Sequence, residues 1–240
     1  MRRRDGRAFD QLRPLNLDTA VRSWAEGAVL VTMGETQVLC SATVDSRVPP
    51  HRRGTRSGWV TAEYAMLPRA THERVPRERG GLAAGRSQEI QRLVGRSLRA
   101  AVDLELLGER SVVVDCDVLH ADGGTRTAAI NGGYVALALA CQRLQEASMV
   151  ASSPLVRQVA AISVGILRGT PILDLDYLED SQASTDLNLV LAADGCLVEI
   201  QGTAEREPFT EAELDSLLGL ARGGIAEILQ AQSLALAKAA

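Results

Sequence analysis

The first half of the chain contains runs in which apolar and polar residues alternate, the pattern of a half-buried β-strand. Residues 28–44 form two such runs around Gly34-Glu35, which predicts a β-hairpin. Residues 58–67 predict another strand, and the valine-rich residues 111–118 predict a further one. Residues 47–57 are polar, basic and contain proline, so they predict a loop.

Three further segments are predicted to be helices. Ser87 is the predicted N-cap of the first helix, residues 85–102. Apolar residues recur in that helix every three or four positions, at Ile90, Leu93, Val94, Leu98 and Ala101. Residues 127–146 predict a second helix. Residues 210–239 predict a long closing helix with three weak points, Gly219, Gly223 and Gly224.

The second half of the chain repeats the order of hairpin followed by helix. Residues 159–168 and 171–178 predict strands. Residues 187–192 and 196–201 predict a hairpin around Asp194-Gly195. We therefore predict an α+β fold made of two β/α halves, with mixed sheets covered by helices.

The composition, 46% hydrophobic and 23% charged over 240 residues, is typical of a globular protein of one large domain or two small ones. No apolar run approaches the roughly 18–20 residues that span a bilayer. Because no apolar stretch follows the arginines of residues 1–7, we expect no secretory signal and a cytoplasmic protein. The four cysteines, Cys40, Cys116, Cys141 and Cys196, are scattered without a C-x-x-C pair. Because Cys40 and Cys116 lie in predicted strands and Cys141 in a predicted helix, reduced core thiols are favoured over zinc ligands or disulfides.

The charge is unevenly distributed along the chain. Residues 1–100 carry 18 arginines against 10 acidic residues, a net charge of +8, whereas residues 101–240 carry 8 basic and 20 acidic residues, a net charge of −12. Such asymmetry suggests a polyanionic partner for the first part. A GC-rich genome would explain why Lys238 is the only lysine, but not the uneven distribution.

Two arginines accompany glycine at predicted helix starts. The first, Arg126, lies in Asp122-Gly-Gly-Thr-Arg-Thr127. A glycine-rich bend that opens a helix leaves backbone N–H groups unpaired, so it can hold an anion, and a guanidinium group matches phosphate oxygens. The second, Arg86, follows Gly85 at the start of the first helix. A purely steric turn and a surface arginine would also fit these residues, and the two interpretations stay open.

Five carboxylates crowd a segment of the second half: Asp174, Asp176, Glu179, Asp180 and Asp186. They would repel one another unless they are solvated or share a cation. In a straight strand Asp180 and Asp186 would lie about 20 Å apart, so they can share an ion only if residues 181–185 fold back. Those residues are all small or polar, which favours a turn. A metal-free acidic loop remains the alternative.

Together these segments resemble the bacterial ribonuclease PH family of phosphate-dependent 3′ exoribonucleases. The resemblance covers essentially the whole chain. Its most specific motifs are Gly85-Arg-Ser-Gln-Glu-Ile-Gln-Arg-Leu-Val-Gly-Arg96, Asp122-Gly-Gly-Thr-Arg-Thr127, Leu175-Asp-Tyr-Leu-Glu-Asp-Ser181 with Asp186-Leu-Asn188, and Glu199-Ile-Gln-Gly-Thr-Ala-Glu205. The resemblance implies the ribonuclease PH fold (ribosomal protein S5 domain 2-like). Residues 1–150 would form its phosphate- and RNA-binding part, and residues 151–240 the part with the metal-binding carboxylates.

The resemblance also implies roles for individual residues. The phosphate-binding positions are Arg86, Gly124, Thr125 and Arg126. The metal-binding carboxylates are Asp180 and Asp186, which together with Arg126 are the implied catalytic residues. The implied RNA-binding residues match by position rather than by motif, and they are Arg69, Arg74, Arg77 and Arg79.

The implied reaction is the attack of inorganic phosphate on the last phosphodiester of RNA, which releases a nucleoside diphosphate and is reversible. The implied cofactor is Mg²⁺ or Mn²⁺, because an oxygen-only site suits magnesium better than zinc. The implied partners are precursor tRNA and other RNA 3′ ends, and further copies of the chain in a hexameric ring built of dimers. Three histidines have no partner at triad or zinc spacing and are interpreted as structural: His51, His72 and His120.

Three other functions compete with this interpretation. A non-catalytic RNA-binding ring subunit of the same superfamily would lack the metal site, whereas Asp180 and Asp186 are both present. A metal-dependent hydrolytic exonuclease would release monophosphates and would not need two phosphate arginines. A pure RNA-binding module would not require an acidic cluster beside core strands.

Overall fold

The computed structural model describes residues 3–77 and 85–239, and within them the chain forms two β-sheets and several helices. The strands are β1 (Leu15–Asp18), β2 (Gly27–Met33), β3 (Thr36–Asp45), β4 (Trp59–Met66), β5 (Ser111–His120), β6 (Val159–Leu167), β7 (Thr170–Leu173), β8 (Thr185–Ala192) and β9 (Leu197–Ala204). The α-helices are α1 (Gly85–Arg99), α2 (Leu104–Leu107), α3 (Thr125–Glu146), α4 (Tyr177–Asp180) and α5 (Glu211–Ala239). Among the described residues no helix is both long and apolar enough to cross a membrane.

The first sheet has the strand order β1-β2-β3-β5-β4. Strands β2 and β3 form the predicted hairpin, because Met33 pairs with Thr36 and leaves Gly34-Glu35 as a two-residue turn. Gly34 has a φ of 58°, a left-handed conformation that glycine adopts without steric cost. Strand β4 runs parallel to β5. Parallel neighbours need a crossover connection, and α1, which packs on β4, provides it.

The second sheet has the order β7-β6-β8-β9, and all of its neighbouring strands are antiparallel. Strands β8 and β9 form the hairpin predicted around Asp194-Gly195, with longer arms than the apolar pattern indicated. The α+β prediction is confirmed. Of the two sheets only the first is mixed.

Helix α3 joins the two sheets, since it packs on β2, β3 and β5 of the first sheet and on β6 of the second. Asn131 is fully buried at this junction. Its amide donates to the Ala161 carbonyl at 2.9 Å and accepts from the Ala161 N–H at 2.8 Å. Gln232 of α5 donates to the Asn131 backbone carbonyl at 3.2 Å. These bonds satisfy polar groups that would otherwise be costly to bury, and they fix the second sheet against α3.

The predicted strand at residues 171–178 is wrong in its second half. Strand β7 ends at Leu173 because Asp174 adopts a φ of 53°, outside the range of an extended chain. A capping box then begins α4: Asp176 accepts a hydrogen bond from the Glu179 N–H at 2.8 Å, and Glu179 accepts one from the Asp176 N–H at 3.1 Å.

The helix starts and ends also differ from the predictions. Ser87 is not an N-cap, because α1 is already helical at Gly85 and Ser87 is buried inside its first turn. Helix α3 begins at Thr125, two residues earlier than predicted, since Gly124 with a φ of 64° precedes it as its N-cap. Helix α5 is continuous through its three glycines. Gly224 packs there so closely on Leu173 that a Cβ would lie 2.9 Å from the leucine Cδ1.

The core positions predicted for three cysteines are confirmed. Cys40, Cys116 and Cys141 are free thiols in the core, whereas Cys196 is free but exposed beside the β8–β9 turn. Burial raises the pKa of the Cys141 thiol to about 12. The three core thiols therefore behave as small apolar side chains.

Two glycines in long helices provide a matched test of the packing. A Cβ at Gly132 of α3 would overlap Val31 Cγ2 and lie 2.8 Å from Cys40 Sγ, whereas Gly219 of α5 is exposed with open space around it. We expect Gly132→Ala to destabilise the fold by about 1–3 kcal/mol through overpacking. Gly219→Ala should stabilise it by about 0.5–1 kcal/mol through helix propensity. Thermal unfolding of both variants checks this, and equal effects would contradict the packing described for α3.

Candidate active site

A large cavity of about 1010 Å³ opens where the start of α3 meets β6, β8 and α4. Its walls come from both sheets. All six residues predicted to bind phosphate or metal lie in these walls, namely Arg86, Gly124, Thr125, Arg126, Asp180 and Asp186. Other wall residues were given no role in the site from the sequence, among them His72, Ser163, Tyr177, Asn188 and Glu205. The six predicted residues that the structure brings together lie as much as 100 positions apart in the chain, from Arg86 to Asp186.

One wall is the glycine loop, residues 122–126. Gly123 and Gly124 have φ angles of 75° and 64°, so both need the left-handed conformation that glycine tolerates. No side chain caps the start of α3 at Gly124. The first backbone N–H groups of the helix are therefore suited to an anion in the cavity, and the helix dipole adds to the attraction.

Gly123 is required for a second reason, because the glycine loop lies directly against the chain that leads into α4. A Cβ on Gly123 would lie 2.7 Å from the Leu175 carbonyl oxygen and 2.8 Å from the Tyr177 nitrogen. The Tyr177 N–H also donates to Asp122 Oδ1 at 3.3 Å. The absence of a side chain at Gly123 thus sets the distance between the two walls of the cavity.

The arginines add positive charge on the same side. Arg126 is held from two directions: its Nη1 donates to Gln201 Oε1 at 3.3 Å and lies 3.6 Å from Glu89 Oε1. The Thr125 hydroxyl shares a buried hydrogen bond of 2.8 Å with the Tyr64 hydroxyl. Arg86, in the first turn of α1, is exposed to the cavity. One guanidinium is therefore fixed by its neighbours, and the other is accessible.

The opposite wall carries the two aspartates. Asp180 is the last residue of α4 and Asp186 is the second residue of β8. Residues 181–184 fold back between them, as a shared ion would require. Ser181 donates from its N–H to the Tyr177 carbonyl at 3.0 Å, and Ala183 donates to the Asp180 carbonyl at 3.2 Å, so the reversal is a hydrogen-bonded turn.

Both aspartates are harder to ionise than a carboxyl group in water. Partial removal from water raises the pKa of Asp180, and the charge of Asp186 raises it further. The pKa of Asp186 is raised by partial burial, while Arg126 opposes the rise. Glu205 adds to the negative charge and raises the pKa of both groups. The protein therefore holds carboxylates together without fully neutralising them.

These residues fit a hard divalent cation. Asp186 Oδ1 is buried and has no hydrogen-bond partner among the described residues, so this oxygen has the capacity to coordinate a cation. Within residues 3–77 and 85–239 no cluster of three or more His, Cys, Asp or Glu side chains is placed to hold a metal. Two carboxylates suit an ion such as Mg²⁺, which keeps several waters and takes further oxygens from a phosphate ligand.

The other three carboxylates of the acidic segment have a structural role that the sequence did not reveal. Arg3, buried, donates to Glu179 Oε1 at 2.8 Å and to Oε2 at 2.6 Å. Although burial alone would raise it, the hydrogen bond from Arg3 lowers the pKa of Glu179. Arg13 likewise donates to both oxygens of Asp174, at 2.7 Å and 3.1 Å. Asp176 caps α4 and lies 3.7 Å from Arg4.

These pairs also revise the interpretation of the charge asymmetry. Arg3, Arg7 and Arg13 belong to the basic first part of the chain, yet their side chains are almost fully buried against the acidic segment. Part of the uneven distribution therefore serves contacts inside the chain. The hypothesis of a polyanionic partner then rests on the exposed arginines.

Of the predicted RNA-binding arginines, Arg69 lines a small cavity of about 420 Å³ beside the large one. Arg74 and Arg77 are exposed on the adjoining loop and do not line either cavity. Arg79 lies outside the described residues.

The histidines divide between structural and cavity positions. The His51 ring contacts Trp59 edge-on at 5.0 Å. His120 Nδ1 lies 2.7 Å from the Glu35 carbonyl oxygen, so that nitrogen carries the hydrogen. His72 lines both cavities, which the structural interpretation did not anticipate.

Comparison with known proteins identifies the class. The sequence description "3′ exoribonuclease family, domain 1" matches residues 11–141, and "3′ exoribonuclease family, domain 2" matches residues 157–224. The chain therefore belongs to the 3′ exoribonuclease family. It is 56% identical over 232 residues to ribonuclease PH of Methylobacterium radiotolerans and, equally, to that of Methylorubrum populi, in each case 96% of this chain and 98% of the relative. Like these relatives, it is a phosphorolytic 3′–5′ exoribonuclease, a phosphate-dependent nucleotidyltransferase.

Solved structures show the same fold at lower identity. The chain superposes on rice Rrp46 with a TM-score of 0.78 at 20% identity, covering 98% of this chain and 100% of that one. It superposes on a chain of the Archaeoglobus fulgidus exosome with RNA bound to the active site with a TM-score of 0.81 at 24% identity, covering 95% and 92%. It superposes on a chain of an archaeal exosome core with a TM-score of 0.77 at 22% identity, covering 97% of this chain and 91% of that one.

The raised pKa of Asp186 leads to a prediction about stability. The pKa of Asp186 is higher in the folded protein than in the unfolded chain. Above the folded-state pKa, the charge on Asp186 therefore lowers the free energy of unfolding. Acidification below that pKa removes this destabilisation. At neutral pH in a chelator, Asp186→Asn should therefore melt at the same temperature as the unmodified protein or higher. Mg²⁺ or Mn²⁺ should raise the melting temperature of the unmodified protein but not of the variant.

The control for this prediction is Asp215→Asn, which removes an exposed carboxylate of α5 that does not line the cavity and should change neither melting temperature. A variant Asp186→Asn that melts several degrees lower in chelator, yet is still stabilised by the cation, would show that Asp186 is a structural residue.

Proposed function

We propose that the large cavity is where inorganic phosphate attacks the last phosphodiester of an RNA strand. Phosphate would be held by Arg86, Arg126 and the backbone at Gly124 and Thr125. Mg²⁺ or Mn²⁺ would be held by Asp180 and Asp186. The observation that supports this most directly is the composition of the walls, since one cavity combines a basic anion site with a pair of carboxylates.

The arrangement answers the main physical obstacle of the reaction, which is that an anion must approach another anion. Two guanidinium groups and a helix start offset that repulsion and orient a phosphate oxygen toward the RNA phosphorus. As the new P–O bond forms, the bond to the 3′ oxygen of the preceding nucleotide breaks. That oxygen takes a proton, and a nucleoside diphosphate leaves. The reverse reaction, nucleotide addition, would use the same groups.

A divalent cation, when bound, supplies positive charge to the phosphate oxygens and the leaving oxygen. Asp180 and Asp186 would hold it, and the buried Asp186 Oδ1 is the oxygen most in need of such a ligand. Ser163 is a further candidate for positioning. Its hydroxyl lies in the cavity wall, buried and without a hydrogen-bond partner in the described structure.

The RNA substrate would be precursor tRNA and other RNA 3′ ends, which the resemblance to ribonuclease PH supports. Arg69 lines the small cavity, and Arg74 and Arg77 are exposed on the loop whose residues 71–73 line the large one, so all three are suited to an RNA backbone. Arg79 belongs to the same loop in sequence. Residues 1–150 would thus supply the phosphate and RNA contacts, and residues 151–240 the carboxylates.

The working form would be a hexameric ring of three dimers in the cytoplasm. The outer strand β9 supports self-association, because it exposes Leu197 by 50% and Ile200 by 43%. A non-catalytic ring subunit is a poorer account, since Arg86, Arg126 and both aspartates line a single cavity.

Arg126→Lys tests the proposed phosphate site. The change keeps the positive charge but loses the planar two-pronged donor. We expect the orthophosphate concentration for half-maximal rate to rise by about tenfold or more, as for loss of a charge-assisted hydrogen bond of about 1.5–3 kcal/mol. RNA affinity without phosphate should change much less.

The matched control is Arg143→Lys, an exposed arginine near the end of α3, which should leave the phosphate dependence unchanged. A variant Arg126→Lys with unaltered phosphate dependence but a lower melting temperature would mean that Arg126 only holds α3 to β9.

The proposed RNA contacts predict a steep salt dependence, because each arginine–phosphate contact releases condensed counterions. Changing Arg69, Arg74, Arg77 and Arg79 to Gln should lower the slope of log affinity against log salt by about 0.7 for each lost contact to single-stranded RNA. Structured RNA should be affected most. Replacement of three exposed arginines elsewhere, Arg22, Arg168 and Arg222, is the control. Equal slopes for both variants would place the RNA on another surface.

A further inference from the structure

The small cavity adjoins the large one, and the two share a wall. Thr71, His72, Ala121 and Tyr177 line both cavities. The two cavities therefore adjoin at these residues, and Arg4 and Arg69 line the small one. A strand whose 3′ end lies in the large cavity needs a path to the surface, and the small cavity is an adjoining space that it can enter.

Tyr177 is the exposed tyrosine where the two cavities adjoin, and the smaller ring of His72 is exposed there as well. Aromatic residues make up only 3% of the chain, and the other two tyrosines, Tyr64 and Tyr134, are 2% and 6% exposed. Tyr177 is 56% exposed. It is the first residue of α4, three positions before Asp180. Residues three apart lie on the same face of a helix, about 5–6 Å apart at Cβ.

The backbone that carries Tyr177 is rigidly held. Its N–H donates to Asp122 of the glycine loop. Asp176 and Glu179 close a capping box around it, and Arg3 pairs with Glu179 at 2.6 Å. An exposed ring on a fixed backbone loses little conformational freedom when a flat ligand stacks on it.

We propose that Tyr177 is a stacking platform for an RNA base, and that the RNA strand leaves the large cavity over this ring into the small one. The base belongs to one of the first nucleotides upstream of the scissile phosphodiester, given the single helical turn between Tyr177 and Asp180. This inference rests on the proposed function, because it requires the 3′ end to lie in the large cavity.

The charges along the small cavity favour stacking as the source of affinity there. Arg4 and Arg69 could meet backbone phosphates, but Glu35 and Asp122 line the same cavity, so its fixed charges balance. Every base has a π-face, and stacking on an aromatic ring does not depend on sequence. Such a platform suits an enzyme that must pass successive nucleotides of any identity through one site.

The test compares Tyr177→Phe, which keeps the aromatic ring, with Tyr177→Leu, which removes the ring but keeps apolar bulk. RNA affinity is measured without phosphate by fluorescence anisotropy on a 3′-tailed oligonucleotide, alongside the phosphate dependence of the rate. We expect Tyr177→Leu to lose at least about fivefold in RNA affinity, the lower end for one stacked base, and Tyr177→Phe to keep it. The phosphate dependence should be unchanged in both. Leu178→Ala, which alters the neighbouring exposed side chain of α4, is the control and should bind normally.

A scan with single abasic nucleotides then locates the base. At one upstream position the abasic site should weaken binding to the unmodified protein as much as Tyr177→Leu does, and it should have no further effect on that variant. Normal binding by Tyr177→Leu, or equal losses at all positions for both proteins, would overturn the platform. Failure of the proposed function is a separate result, because it would appear as phosphate-independent release of monophosphates by the unmodified enzyme.

Discussion

The candidate site depends on one buried ion pair, between Arg13 and Asp174. Asp174 is completely buried and Arg13 is 4% exposed, so each charge would be very costly without the other. Although burial alone would lower the pKa of Arg13, the charge of Asp174 raises it, so the guanidinium keeps its charge. Arg13 also donates to the Asp122 carbonyl at 2.5 Å. One side chain thereby holds the glycine loop against the segment that carries Asp180.

This pair explains how two chemically opposite walls can face each other in one cavity. The glycine loop comes from the connection after the first sheet, and the aspartates come from the second sheet and its short helix. The basic wall has the charge that suits an anion, and the acidic wall, whose aspartates have raised pKa values, has the charge that suits a cation. Under the proposed function, phosphate would be held at the basic wall and the cation by the two aspartates. Neither half of the chain contains both parts.

Several features were predictable from local patterns, and others were not. Gly34-Glu35 specified its hairpin because a two-residue turn has strict backbone requirements. Asp194-Gly195 specified the other hairpin, although its connection spans residues 193–196, because Gly195 with a φ of 83° adopts the left-handed conformation that glycine tolerates. The spacing of Asp176 and Glu179 is that of a capping box, which marks a helix start. The apolar pattern of residues 171–178 instead favours a continuous strand, so the two local signals conflict. The site residues were identified through family resemblance, since no spacing rule joins Arg86 to Asp186. The partner of Arg13 lies 161 positions away, and no local signal points to it.

We propose above all that orthophosphate, bound between these walls, is the nucleophile. The experiment uses orthophosphate in which all oxygens are ¹⁸O. A 3′-tailed RNA is digested with this phosphate and Mg²⁺ in ordinary water, and the masses of the released nucleotides are measured by mass spectrometry. If phosphate is the nucleophile, the products are nucleoside diphosphates that carry every labelled oxygen of the phosphate. Unlabelled monophosphates, formed at the same rate without orthophosphate, would contradict it.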